Sequence, residues 1–175
     1  GKLPSGAPTS PVISNFICLQ LDEMLLSYCF DKDIQYSRYA DDLTFSSDRE
    51  ITKSHLEELS TIIISNHFTI NPKKTRLNKN YRKQTVTGIT VNSKVNVDRK
   101  TLKMVRAMLY DALQNGVSKA ARKHFQLKNE MSKMSETYFL NRLDGYINFI
   151  GQVRGKEDVL VLKFKEDFKM ILKLK

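Results

Sequence analysis

Two adjacent aspartates, Asp41 and Asp42, interrupt a run over residues 34–47 that otherwise reads as strand. Strands favour β-branched and aromatic residues, and Asp is depleted from their interiors. The pair therefore predicts a strand–turn–strand with two carboxylates at its tip. Between strands, Asp-Asp is ordinarily a polar turn. In a low-dielectric site, however, neighbouring carboxylates repel and lose hydration unless a cation joins them. Hard divalent ions such as Mg²⁺ take carboxylate oxygens and are completed by substrate phosphates. A two-metal phosphoryl-transfer site is the sharper expectation, and the rest of the chain decides between the two.

The 175 residues suit one domain or two small ones, and 41% are hydrophobic, enough for a core. No apolar run reaches the roughly 18 residues of a membrane helix. No signal-peptide pattern opens the chain. Cys18 and Cys29, without CxxC spacing, suggest a reducing compartment, and the expected location is cytoplasmic. Residue 1 is not Met and the first eight residues read as the middle of a loop, so a fragment is expected.

Charge is uneven. Residues 1–95 hold 12 basic and 10 acidic residues, a net +2, and residues 96–175 hold 17 and 9, a net +8. That composition break sets the expected domains at 1–95 and 96–175, the second suited to a polyanion. Lys73, Lys74, Arg76, Lys79, Arg82 and Lys83 cluster without an acid among them, which points to a nucleic-acid patch over simple solvation.

Local signals place the elements. A helix over 11–27 is expected, with Ser10 as cap, Pro11 at its first position, and Val12, Ile13, Phe16, Ile17, Met24 and Leu25 turned to a sheet. A second helix fits 52–66, with Leu56, Leu59 and Ile63 on one face and Ser54/Glu57 as capping box. Phe68–Thr75 is expected to be a short strand ending in an Asn-Pro turn. Another is expected over Thr85–Val91 with a turn or bulge at Gly88, followed by a further short strand over 95–97. Asp98 caps a helix to Gly116 with Leu102, Val105, Leu109 and Leu113 inward. Arg99, Lys103 and Arg106 share one of its faces. A less regular polar stretch is expected over 117–134. Helices over 135–153, with Phe139, Leu143, Ile147 and Ile150 on one face, and over 157–173 complete the chain.

Taken in order, these parts resemble the C-terminal half of a reverse transcriptase. Tyr39-Ala-Asp-Asp42 resembles that family's YxDD catalytic box, and Leu3-Pro-Ser-Gly-Ala-Pro-Thr-Ser-Pro11 resembles the LPQGxPxSP loop before it. Asn71-Pro-Lys-Lys-Thr75 is similar to the next motif, which ends in Lys-Thr. Val86-Thr-Gly88 resembles the VTG triplet of retron enzymes, within the hairpin called the primer grip. Group II intron and other defence-associated bacterial reverse transcriptases remain alternatives. The implied fold is α+β: a partial polymerase palm, an antiparallel sheet with packed helices, followed by an all-helical thumb. Ser5 departs from the family's Gln, and the family's other catalytic carboxylate and its fingers lie upstream of this sequence.

The resemblance implies RNA-directed DNA polymerisation with two Mg²⁺ ions, Mn²⁺ serving as substitute. Asp41 is the expected direct metal ligand and Asp42 a second ligand or electrostatic support. Ser5, Gly6, Ala7 and Pro8 would floor the nucleotide and template base. Tyr39 packs below the primer terminus or in the core, and Ala40 leaves room for the primer end. Lys74 assists the departing pyrophosphate or contacts backbone. Val86, Thr87 and Gly88 would hold the primer, while Lys73, Arg76, Arg99, Lys103 and Arg106 would touch phosphates without reading sequence. His55, His67 and His124 show no ligand spacing and are expected in surface or packing roles. Expected partners are a structured template RNA, the RNA–DNA hybrid and dNTP, with room for an effector protein and no membrane. In a retron setting the product is a branched RNA–DNA used in antiphage defence. This chain alone is expected to be inactive. The competing class is a non-catalytic RNA-binding module, against which stand the two acids, which a phosphate binder does not need.

Overall fold

The computed structural model describes Pro4, residues 6–125 and residues 132–174. The chain forms two compact units, Gly1–Arg82 and Lys83–Lys175. By packing the division thus falls at 82/83, while the composition break lies near residue 96. The segment between them is tied to the later helices: Arg154 donates to Asn96 Oδ1 at 2.8 Å and Lys94 pairs with Asp158 at 3.0 Å.

In the first unit, α1 (Ser10–Ile17) and α2 (Leu19–Asp31) replace the single helix expected over 11–27, with a break at Cys18. Thr9 is the N-cap without a side-chain cap bond, and Ser10 Oγ instead donates to the Pro4 carbonyl at 2.7 Å. The expected inward face also differs. Val12, Ile13, Phe16, Ile17 and Met24 are exposed, and the buried stripe is Cys18, Leu21, Leu25 and Cys29. Apolar residues lie on several sides here, so spacing alone does not choose the covered face.

The antiparallel hairpin of β1 (Gln35–Tyr39) and β2 (Asp42–Ser46) pairs Tyr39 with Asp42 and Gln35 with Ser46. Successive strand residues alternate sides. Tyr36 and Arg38 face inward with Leu43 and Phe45, and Tyr36 stacks on Phe45 at 5.2 Å between ring centroids. Helix α3 (Lys53–Ser65) adds Leu59 and Ile63 to the core of Leu21, Leu25, Cys29 and Ile34. Its capping box is Thr52/His55 and not Ser54/Glu57: Thr52 Oγ1 accepts from the His55 N–H, and His55 Nδ1 accepts from the Thr52 N–H. The imidazole takes the role that Glu or Gln usually plays. No strand forms at Phe68–Thr75; Phe68 and Ile70 pack on the core, but no strand lies beside them among the described residues.

In the second unit, β3 (Thr85–Val86) and β4 (Ile89–Thr90) pair across Thr87 and Gly88. Both turn residues have positive φ, 47° and 85°, the signature of a type I′ turn in which Gly is free of the Cβ penalty. A bridge from Thr90 to Asn96 closes the following loop in place of a further strand. Among the described residues four helices follow: α4 (Arg99–Asn115), α5 (Val117–Phe125), α6 (Ser132–Arg154) and α7 (Val159–Lys173). Asp98 caps α4 by accepting from the Lys100 N–H, and Gly116 ends it with φ 81°. Helix α5 occupies part of the stretch expected to be irregular, because Ala120 and Ala121 bury a small face against the neighbouring helices. Residues 126–131 of that stretch lie outside the described residues. Phe139, Leu143, Ile147 and Ile150 all point into the core, as their spacing predicts. The architecture is α+β, rich in helix with small antiparallel sheets. Among the described residues, no helix is long and apolar enough to cross a membrane.

Candidate functional site: the Asp41–Asp42 turn

The hairpin closes with only two loop residues, Ala40 and Asp41, between paired Tyr39 and Asp42. Ala40 has φ 54°, a conformation that costs an L-residue about 1–2 kcal/mol. Such local strain persists only where the surroundings over-determine it. Here the surroundings are a polar network under the turn. Arg38 donates from Nε to Asp22 Oδ1 at 2.8 Å and from a terminal nitrogen to Oδ2 at 2.6 Å. Its other terminal nitrogen donates to Asn15 Oδ1 and to the carbonyl of Ala40, both at 3.1 Å. Tyr36 O–H donates to the same Asp22 carboxylate at 2.7 Å.

The electrostatics follow. The Arg38 guanidinium holds the Asp22 carboxyl below its usual range, against the opposing effect of burial, and Tyr36 adds a further donor. Burial first, and then the Asp22 carboxylate, push the Tyr36 phenol up, so it remains a donor at neutral pH. Asp22 raises Arg38 in turn.

Asp41 and Asp42 are exposed and have no ion-pair partner among the described residues. Tyr39 is 73% exposed, which removes the core-tyrosine reading. Two open, adjacent carboxylates are the oxygen donors that a hard divalent cation uses, with water and phosphate completing its shell. They fit as two of its ligands. Among the described residues, no group of three or more His, Cys, Asp or Glu is placed to hold a metal.

The other expected residues divide by unit. Gly6, Ala7 and Pro8 lead into α1, whose Asn15 reaches Arg38. Ser5 lies outside the described residues. Lys73 and Lys74 are held in a tight turn by Asn71: its carbonyl accepts from the Lys74 and Thr75 N–H groups and its side chain accepts from the Lys73 N–H. Lys73, Lys74 and Arg76 all project to solvent. Within the same basic cluster, Lys79 pairs with Glu50 and Lys83 with Asp98. Val86, Thr87 and Gly88 form the turn of the second unit's hairpin, and Arg99, Lys103 and Arg106 are exposed together on α4.

Sequence reasoning missed Asp22, Arg38, Tyr36 and Asn15. One signal was available. Alternation places Arg38 on the inward side of β1 with Tyr36, and a cation there needs a buried partner.

Residues 2–91 match the family described as reverse transcriptase (RNA-dependent DNA polymerase). The chain is 36% identical over 120 residues to the retron Mx65 reverse transcriptase of Myxococcus xanthus, covering 68% of this chain and 28% of that protein. It is 37% identical over 111 residues to the retron Ec86 reverse transcriptase of Escherichia coli, covering 62% and 34%. To the retron Ec83 reverse transcriptase of the same organism it is 30% identical over 148 residues, covering 81% and 47%. The chain therefore spans less than half the length of each of these relatives. With the YADD turn and its flanking motifs inside the matched region, the chain belongs to the reverse transcriptase (RNA-dependent DNA polymerase) family, and the members it is similar to here are retron reverse transcriptases.

Proposed function

We propose that this chain supplies the Asp41–Asp42 part of an RNA-directed DNA polymerase site that extends a primer on an RNA template. The observation that carries this reading is a pair of solvent-facing carboxylates, without ion-pair partners among the described residues, on a two-residue turn whose backbone Arg38 clamps. Any two-residue hairpin asks for a positive φ at its first loop residue, but a plain polar turn needs neither two open carboxylates nor the clamp. Phosphoryl transfer asks a protein for positioning and charge neutralisation and for little covalent chemistry. Asp41 and Asp42 would hold Mg²⁺, or Mn²⁺ in its place, and the bound ions supply charge neutralisation at the reacting phosphate and activation of the primer hydroxyl. Ala40, with a single methyl group, leaves the primer end free to approach the turn. Gly6, Ala7 and Pro8 shape the nucleotide floor, and Lys74 faces the pyrophosphate.

On this reading the first unit is the palm portion. The Val86–Gly88 turn is the primer grip, and α4–α7 form the thumb, with Arg99, Lys103 and Arg106 on template or hybrid phosphates. The likeness to retron enzymes favours priming from a structured RNA and a branched RNA–DNA product that serves antiphage defence.

Primer extension on RNA with dNTPs and Mg²⁺ tests the reading in the full-length protein. Asp41→Asn is expected to abolish extension while leaving RNA binding intact. Extension that survives the substitution contradicts the assignment. RNA binding by an unsubstituted protein that never extends a primer supports a binding module instead.

A further inference from the structure

We infer that Arg38 is a positioning residue for the Asp41–Asp42 turn, transmitting the placement of α1 and α2 to the peptide plane that carries Asp41. This rests on the reading of Asp41 and Asp42 as the catalytic pair.

The argument begins with the guanidinium. It is planar, permanently charged, and presents five N–H donors in a rigid fork. In this chain the fork is filled on both sides. Nε and one terminal nitrogen hold the two oxygens of Asp22 on α2, at 2.8 and 2.6 Å. The other terminal nitrogen holds Asn15 on α1 and the carbonyl oxygen of Ala40, each at 3.1 Å. The Arg38 side chain is 10% exposed and that of Asp22 22%, so water competes little for the Asp22 fork, while Asn15 and Ala40 themselves are exposed.

The Ala40 contact distinguishes positioning from simple cohesion. An ion pair that only joined β1 to α2 would be complete with the Asp22 fork. The third contact reaches the turn itself. The Ala40 carbonyl and the Asp41 N–H belong to one rigid peptide plane. A hydrogen bond that fixes this oxygen therefore fixes the start of Asp41. It does so at a residue whose positive φ needs support from its surroundings. Asp22 is itself steadied by Tyr36 O–H at 2.7 Å, from the residue two before Arg38 on the same face of β1. Helix α2, through Asp22, and helix α1, through Asn15, thus aim one side chain at one backbone oxygen.

Lysine discriminates this role from a general need for charge. Its ammonium reaches Asp22 and keeps the charge pair, but a single nitrogen cannot also span to the Ala40 oxygen. In the full-length protein, Arg38→Lys is expected to lower kcat for dNTP addition by about 100-fold, the scale of a misplacement near 1 Å. The KM for dNTP, the affinity for primer–template and the melting temperature are expected to stay close to the parent's. Asp41→Asn runs in the same assay. Parental kcat in Arg38→Lys beside an inactive Asp41→Asn overturns the positioning role and leaves the catalytic pair standing. An active Asp41→Asn overturns the reading beneath both. A fall in kcat that vanishes once rates are normalised to folded protein also overturns the role. If the lysine variant does not fold, the near-isosteric Asp22→Asn replaces it under the same criteria, with a smaller expected fall because the Ala40 contact survives.

Discussion

Asp111 and His124 meet inside the second unit, with Nε2 of the imidazole 2.7 Å from Oδ2 of the carboxylate. Lys123 Nζ reaches the same carboxylate at 2.9 Å, and Asp111 is only 5% exposed. One α4 residue is thereby tied to two on α5. Lys123 holds the Asp111 carboxyl below its ordinary range against the effect of burial, and His124 adds to this. A carboxylate whose folded value is lowered contributes stability above the unfolded value, about pH 4, and loses it as pH falls through the folded value. Asp111→Asn is expected to cost about 1.5–3 kcal/mol at neutral pH, the scale of hydrogen bonds to a charged group. Urea unfolding across a pH series checks this. The gap between parent and variant should narrow in acid, and a gap that stays constant contradicts the assignment.

The Ala40 turn makes a second prediction. At φ 54°, glycine relieves the Cβ penalty but gains freedom in the unfolded chain, and these effects oppose each other. Ala40→Gly is therefore expected to be near neutral in stability and to retain primer extension. Ala40→Val places a β-branched residue in the left-handed region and should destabilise by more than about 1 kcal/mol, with extension reduced further by bulk at the turn. Melting and extension measured on both variants decide. Equal behaviour of glycine and valine would show that the strain has no consequence.

The α4 face makes a third. Arg99, Lys103 and Arg106 are exposed on one side of a helix capped by Asp98, without ion-pair partners among the described residues. As phosphate contacts they would raise affinity for any sequence and release counterions. Arg106→Ala is expected to weaken RNA binding similarly across sequences and to reduce the slope of log K against log salt by about 1. A salt titration that reproduces the parent slope removes Arg106 from the footprint.

How much of this was legible beforehand depended on how local the cause was. The 34–47 hairpin, the Asp98 cap and the Phe139–Ile150 stripe each rest on residues within a few positions of one another, and all three stand in the structure. The Thr52/His55 box was also local but used an imidazole where Glu or Gln is the usual cue. The exposure of Val12, Ile13, Phe16 and Ile17 was not legible, because periodicity says which residues share a face and not whether anything covers it.

The candidate site divides along the same line. Chemistry was written in the chain: two acids side by side, a small residue before them, a Gly-Ala-Pro loop upstream and cations after. Which groups hold those acids in place was not. Asp22 and Arg38 stand sixteen positions apart and meet because the buried stripe of α2 packs with Ile34, Tyr36 and Leu43 of the hairpin region in one core. Sequence alone determined that two carboxylates would sit at the tip of a turn, since strand propensity and charge repulsion act between neighbours. Tertiary packing alone decided that Asp22 and Asn15, from two helices, would hold the half-buried Arg38 beside them, since desolvating that charge requires a partner brought from another element.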